Sequence, residues 1–192
     1  MTRIIAGVAR GRRLKVPSGL TRPTSDRVRE SLFASLETVV DLEAARVLDL
    51  FAGSGALGLE ALSRGAAEAI LVEKAPAAAR LIAENARVVG LPGARIELMA
   101  AEAFLRREPA PFDLVLMDPP YELATRRVDE LLAVLTTGWL SRGAVVVVER
   151  GVGEPAPTWP PGYAEHWDRR FGGTRVVRAI WYGLGQDASQ LP

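Results

Sequence analysis

Asp118-Pro119-Pro120-Tyr121 is the stretch whose residue types most directly imply chemistry. It follows Phe112-Asp113-Leu114-Val115-Leu116-Met117, an apolar run suited to a buried strand. Two consecutive prolines fix φ twice and remove two backbone donors, so the loop after that strand is stiff. A carboxylate stands before the prolines and a flat aromatic ring after them. This arrangement suits a planar base bearing an exocyclic amine. Asp118 and a backbone carbonyl can accept its two N–H bonds, and Tyr121 can stack on its face. The plainer alternative is a proline-stiffened turn with a solvated Asp and a packed Tyr.

A second constellation supplies the partner for such a reaction. Val47-Leu48-Asp49-Leu50-Phe51 reads as a strand, Ala52-Gly53-Ser54-Gly55 as a turn, and the residues from Ala56 to Leu62 as a helix. Strand, glycine turn and helix N-terminus form the unit that receives nucleotide-like ligands. Gly53, Gly55 and Gly58 also spell G-x-G-x-x-G, a spacing that recurs in several cofactor folds. Asp49 argues against a dinucleotide, because an acid at the strand end repels a pyrophosphate placed at the turn. It favours a cation, such as an ammonium or a sulfonium; S-adenosylmethionine carries both and no phosphate. Ala69-Ile70-Leu71-Val72-Glu73 is a further strand ending in an acid. Glu73 lies twenty residues after Gly53, placed to accept from ribose hydroxyls. Glu102, after the strand Arg95-Ile96-Glu97-Leu98-Met99, is placed to meet an adenine amine. An ordinary helix N-terminal acid is the alternative there.

The segments Asp49-Leu50-Phe51-Ala52-Gly53-Ser54-Gly55, Glu73, Glu102 and Asp118-Pro119-Pro120-Tyr121 together resemble the class I methyltransferases that act on exocyclic amines. The opening residues narrow this. Arg3-Ile4-Ile5-Ala6-Gly7, Gly11-Arg12-Arg13-Leu14 and Arg22-Pro23-Thr24-Ser25-Asp26-Arg27-Val28-Arg29-Glu30-Ser31-Leu32-Phe33 resemble the start of the RsmD family. The likeness runs from Arg3 to about Tyr182. It departs at Ala101-Glu102, where much of the family carries Gly-Asp. The resemblance implies transfer of a methyl group from S-adenosylmethionine to N2 of one guanine, position 966 in standard numbering, of 16S rRNA in the small ribosomal subunit or its assembly intermediate. It implies a catalytic loop of Asp118, Pro119, Pro120 and Tyr121. It implies a cofactor site of Asp49, Phe51, Ala52, Gly53, Ser54, Gly55, Glu73, Lys74, Glu102, Ala103 and Asp118.

Composition fits a single enzyme domain. A chain of 192 residues is long enough for one sizeable core. It has no long apolar run, so neither a membrane span nor a signal peptide is expected, and a cytoplasmic location follows. It has no cysteine, which removes thiolate metal sites and the covalent route to carbon-5 methylation of pyrimidines. No metal is expected, and the single His166 cannot build a site alone. The net charge of +1 is unevenly spread. Residues 1–29 hold eight basic groups against Asp26 alone, a local charge of +7, and the remainder carries −6. Arg3, Arg10, Arg12, Arg13, Lys15, Arg22, Arg27 and Arg29, with Thr24, are therefore the candidate RNA contacts.

The expected fold is α/β and Rossmann-like. A mostly parallel seven-stranded sheet ends in an antiparallel hairpin, and a short β-hairpin and helix precede it. Residues 3–7 and 12–16 alternate as a hairpin, 17–23 form a linker, and 26–39 have helical spacing. Strands are expected near 46–51, 68–73, 95–99, 112–117 and 144–149. Helices are expected near 56–63, 76–89, 101–107 and 124–136. Residues 151–162 read as a loop. Residues 167–171 and 174–182 read as a hairpin turning at Gly172-Gly173, and 186–192 as a disordered tail. By function the chain divides into a basic extension (1–40), a methyltransferase domain (41–184) and a tail (185–192). An amine methyltransferase acting on adenine or a small molecule remains open, as does, less favoured, a nucleotide-binding oxidoreductase or a binding module.

Overall fold

The computed structural model describes residues 2–17 and 25–184. Arg22, Thr24, most of the expected linker and the tail lie outside the described residues. β1 (Thr2–Arg3) and β2 (Arg13–Leu14) pair antiparallel, in a shorter ladder than the alternation implied. α1 (Asp26–Leu36) is capped by the Ser25 side chain, which accepts from the Val28 N–H at 3.3 Å. There follow β3 (Arg46–Asp49), α2 (Ala56–Ser63), β4 (Glu68–Glu73), α3 (Pro76–Val89) and β5 (Ala94–Leu98). α4 (Ala101–Phe104), β6 (Phe112–Met117), α5 (Thr125–Leu135) and β7 (Leu140–Gly151) come next. β8 (Tyr163–Phe171) and β9 (Thr174–Trp181) close the chain as a hairpin turning at Gly172-Gly173. α4 stops short of the expected end. β7 is longer than expected because Leu140 pairs with Phe112 ahead of a register shift.

The sheet order is β5-β4-β3-β6-β7-β9-β8, parallel through β7 and antiparallel in the last hairpin. The order reverses between β3 and β6. Loops leaving the carboxyl ends of neighbouring strands diverge there and open a crevice. Alternation along each strand feeds two cores. Leu71, Leu114, Val145 and Val176 pack with α1, α2 and α3 on one face; Leu48, Val72, Val115 and Val146 pack with α4 and α5 on the other.

The N-terminal hairpin belongs to the first of these cores. Ile4, Ala9 and Leu14 are each 1% exposed. Its backbone is held by buried polar side chains, which burial would otherwise penalise. Glu60 accepts from the N–H groups of Ile5 and Ala6 at 2.7 and 3.0 Å. Ser63 Oγ accepts from the Ala9 N–H at 3.0 Å and donates to the Ala6 carbonyl at 2.5 Å. Ser63 ends α2 and Val89 ends α3, just before strands that start at the amino edge of the sheet. Contacts of Val8 with Ser63 and of Arg12 with Val89 therefore put the hairpin loop at that edge.

Candidate active site

The carboxyl edge holds a cavity of about 410 Å³, within the roughly 300–1,000 Å³ of small-molecule sites. Each loop of the crevice contributes. Phe51, Ala52, Gly53 and Ser54 come from the β3 turn, and Glu73 and Lys74 from the end of β4. Ala101 and Glu102 begin α4; Asp118, Pro120 and Leu123 follow β6. Pro17 and Arg29 close the wall from the N-terminal side. Of the residues expected at the site, Asp49, Gly55, Ala103, Pro119 and Tyr121 stand behind or beside the lining.

The glycine turn explains itself physically. Gly55 caps α2 with φ 77°, in the left-handed region, and a Cβ there would lie 3.0 Å from Ile82 and 3.2 Å from Leu71. Glu73 braces the turn. One carboxylate oxygen accepts from the Gly53 N–H at 2.9 Å and the other from the Ala75 N–H at 2.7 Å. Each oxygen keeps a lone pair for a ligand hydroxyl. Asn85, 1% exposed, donates to the Ser54 carbonyl at 2.8 Å and to the Lys15 carbonyl at 2.8 Å. It thus ties the turn to the N-terminal segment.

Asp49 lies beneath this turn, 1% exposed, and accepts from the Gly58 N–H at 3.1 Å. Burial pushes its carboxyl up to about 7. The Gly58 and Phe51 N–H groups oppose the rise, while the charges of Asp118 and Glu73 add to it. Three acids thus converge at the edge of the turn. That field suits the cationic end of S-adenosylmethionine and disfavours a diphosphate. Glu102 lies at the far end of the cavity, 3.8 Å from Arg127.

The loop after β6 is held from behind. Arg150, 4% exposed at the end of β7, donates to the Leu123 carbonyl at 2.9 Å and pairs with Glu154. The Leu123 N–H in turn bonds the Pro120 carbonyl at 2.9 Å. Tyr121 is 50% exposed, and its ring lies so close over Gly151 that a Cβ there would sit 3.3 Å from it. The ring is thus half-exposed beside a stiff loop. Sequence reasoning missed Arg150, Gly151, Glu154 and Asn85. The one available signal was the pair Glu149-Arg150 closing an otherwise apolar strand.

The described basic residues of the extension are not alike in exposure. Arg29 is 1% exposed and turned inward. It donates to Thr2 Oγ1 at 2.8 Å and pairs with Asp26 at 3.0 Å, tying β1 to α1 instead of meeting solvent. Arg12 donates to the carbonyls of Val88 and Val89, where a cation satisfies groups left over at the α3 C-terminus. Arg3 pairs with Asp26 and Lys15 with Glu84, both in solvent-exposed geometry. Arg10, Arg13 and Arg27 are exposed.

A switch-point crevice with a glycine turn, a braced acid after the second strand and an Asp-Pro-Pro-Tyr loop defines a class I, S-adenosylmethionine-dependent methyltransferase fold. Within it, the chain belongs to the RsmD family: residues 2–180 match the family described as conserved hypothetical protein 95. Ribosomal RNA small subunit methyltransferase D of Escherichia coli K12 is 42% identical, over 98% of this chain and 91% of that protein. The Haemophilus influenzae protein of the same name is 35% identical, over 81% and 82%. The solved structure of yhhF from Escherichia coli superposes with a TM-score of 0.84 at 39% identity, covering 94% of this chain and 98% of that one. No helix among the described residues is long and apolar enough to cross a membrane.

Proposed function

We propose that this protein transfers a methyl group from S-adenosylmethionine to the exocyclic N2 of guanine 966 in 16S rRNA of the small ribosomal subunit, in the cytoplasm. The observation that carries the reading is the Asp118-Pro119-Pro120-Tyr121 loop, whose Asp118 and Pro120 line the cavity, in a chain so similar to two small-subunit rRNA methyltransferases. The cofactor supplies an electrophilic methyl group on a sulfonium. Its cationic and ribose ends fit the Asp49–Glu73 side of the turn. The chain's own residues do the rest. Guanine N2 is a poor nucleophile because its lone pair delocalises into the ring. Asp118 and the Pro119 carbonyl accept its two hydrogens and turn the lone pair towards the cavity. Tyr121 stacks on the base, which must leave its own stack to arrive. Attack is an in-line displacement, so positioning supplies much of the rate. The amine loses its proton after attack, when methylation has made it acidic.

Methyl transfer from labelled S-adenosylmethionine to undermodified small subunits, with identification of the product nucleoside, tests this. N2-methylguanosine at position 966 is the expected product. A methylated adenosine, or label only in small molecules, would refute it in favour of the alternative amine substrates.

A further inference from the structure

Part of the basic extension lies away from the cavity. Its hairpin loop, with Arg10 and Arg12, lies at the amino edge, while the cavity opens at the carboxyl edge. A β-strand of six residues separates the two edges, about 20 Å at the usual rise. Nearer the cavity, Arg27 is exposed in the first turn of α1, and Arg3 is exposed with its carbonyl accepting from Arg29, which lines the wall.

The tip of the β8–β9 hairpin lies at the correct edge. Gly151 at the end of β7 pairs with Thr174, and Thr174 pairs with Phe171. Gly151 also carries the ring of Tyr121. The tip is therefore two strand spacings from the catalytic loop, about 10 Å. Residues 167–178 contain Arg169, Arg170, Arg175 and Arg178 against the single acid Asp168.

The register makes this charge unusual. Arg150 stands opposite Arg175, and Arg175 stands opposite Arg170, so three arginines form one row across three antiparallel strands. Like charges set directly opposite destabilise a sheet. Glu154 neutralises Arg150, and Asp168 neutralises Arg175. Arg170 is exposed and enters no salt bridge among the described residues. On the other face of the strand, Arg169 is exposed with its guanidinium 5.5 Å from the ring centre of Trp167. A surplus of arginine beside a half-buried indole suits a strand of alternating phosphates and bases.

We propose that the β8–β9 tip, through Arg170 on one face and Arg169 beside Trp167 on the other, grips the phosphodiester backbone of the RNA next to the nucleotide delivered to Tyr121. The assignment rests on the rRNA reading above. An anion along the tip also relieves the repulsion within the arginine row.

The test compares Arg169→Gln/Arg170→Gln with Arg80→Gln/Arg87→Gln, a charge-matched pair exposed on α3. The probes are undermodified small subunits and protein-free 16S rRNA, titrated across a salt series. The tip variant is expected to bind both about tenfold more weakly, with a salt slope shallower by about 2. Its affinity for S-adenosylmethionine and its melting temperature should match wild type. The α3 pair should keep the wild-type slope. A tip variant indistinguishable from the α3 pair would overturn the proposal and make the arginine row a solvated surface. Weakened binding to subunits but not to protein-free RNA would also overturn it, assigning the tip to a ribosomal protein. Wild-type protein that binds these RNAs but methylates neither would refute the functional reading separately, since the salt slopes still decide the contact.

Discussion

Replacing Asp49 with Asn should change the pH dependence of both stability and cofactor binding. The carboxyl is buried beneath the glycine turn and titrates near 7, against 3.8 for an unperturbed Asp. Between those values the folded protein keeps a proton that the unfolded chain has released. Stability from this group is therefore full below about pH 4, is lost as pH rises through about 7, and is level above. The shift of about three units corresponds to about 4 kcal/mol, of which about 2–3 kcal/mol falls between pH 5 and 7. Asp26 and Asp168 are shifted the other way, so their contributions fade only in more acidic solution. Denaturant unfolding at pH 5 and pH 8 should show wild-type stability falling by about 2–3 kcal/mol over that window, and Asp49→Asn nearly level. Binding adds a second readout. A sulfonium or ammonium held among Asp49, Glu73 and Asp118 favours the ionised carboxylate. Cofactor binding at pH 6 should then release up to about one proton, measured by calorimetry in buffers of different ionisation enthalpy. Affinity should tighten from pH 6 to 8 in wild type and not in Asp49→Asn. Equal pH slopes for the two proteins, in stability and in binding, would refute the reasoning.

Glu73→Gln removes an acceptor shared by the Gly53 and Ala75 N–H groups and by the ligand. The dissociation constant for S-adenosylmethionine should rise by about 1.5–3 kcal/mol, roughly ten- to hundredfold, and unchanged calorimetric affinity would leave Glu73 a surface charge. Asp118→Ala should lower turnover by about 10²–10³-fold with cofactor affinity within a few-fold, and near-normal turnover would remove its assigned role. Gly151→Ala places a methyl 3.0 Å from Glu154 and 3.3 Å from the Tyr121 ring, so the ring must shift. Turnover at saturating cofactor should fall by less than the roughly hundredfold cost of a 1 Å misplacement, with cofactor affinity intact. Wild-type turnover in that variant would show that the ring position does not matter.

The parallel sheet was legible because apolar runs of strand length alternate with helical spacings, the pattern of strand–helix–strand units. The cofactor turn was legible for a different reason. Its chemistry lies within a few residues of sequence, where a strand end, a glycine and a helix start are fixed locally. Arg150, Glu154 and Asn85 were not legible. Asn85 and Arg150 act on backbone groups far away in the chain, with Glu154 pairing Arg150: Asn85 reaches Lys15 and Ser54 at separations of 70 and 31 residues, and Arg150 reaches Leu123 at 27. Nothing in their neighbouring residues encodes those partners. The boundary of β7 was missed for a milder reason, since a register shift acts at the start of that element.

The basic extension shows why charge counted along a chain is a poor guide to a surface. Eight basic groups fall within the first 29 residues, yet folding distributes the described ones over two edges and an interior. Arg29 goes inside because α1 must pack its face with Val28, Leu32 and Phe33, and Asp26 one turn back offsets the charge. Arg12 is spent on the end of α3, and the loop around it is fixed there by Ser63 and Glu60. The hairpin therefore covers a core: burying Ile4 and Leu14 contributes about 1.5–3 kcal/mol each. Cutting away residues 1–15 would expose that core and release the hydrogen bonds between Asn85 and Lys15 that brace the cofactor turn. Loss of RNA binding in such a truncation would say nothing about phosphate contacts. Single-charge substitutions at exposed positions, read by salt slope, separate an arginine that holds RNA from one that holds the protein.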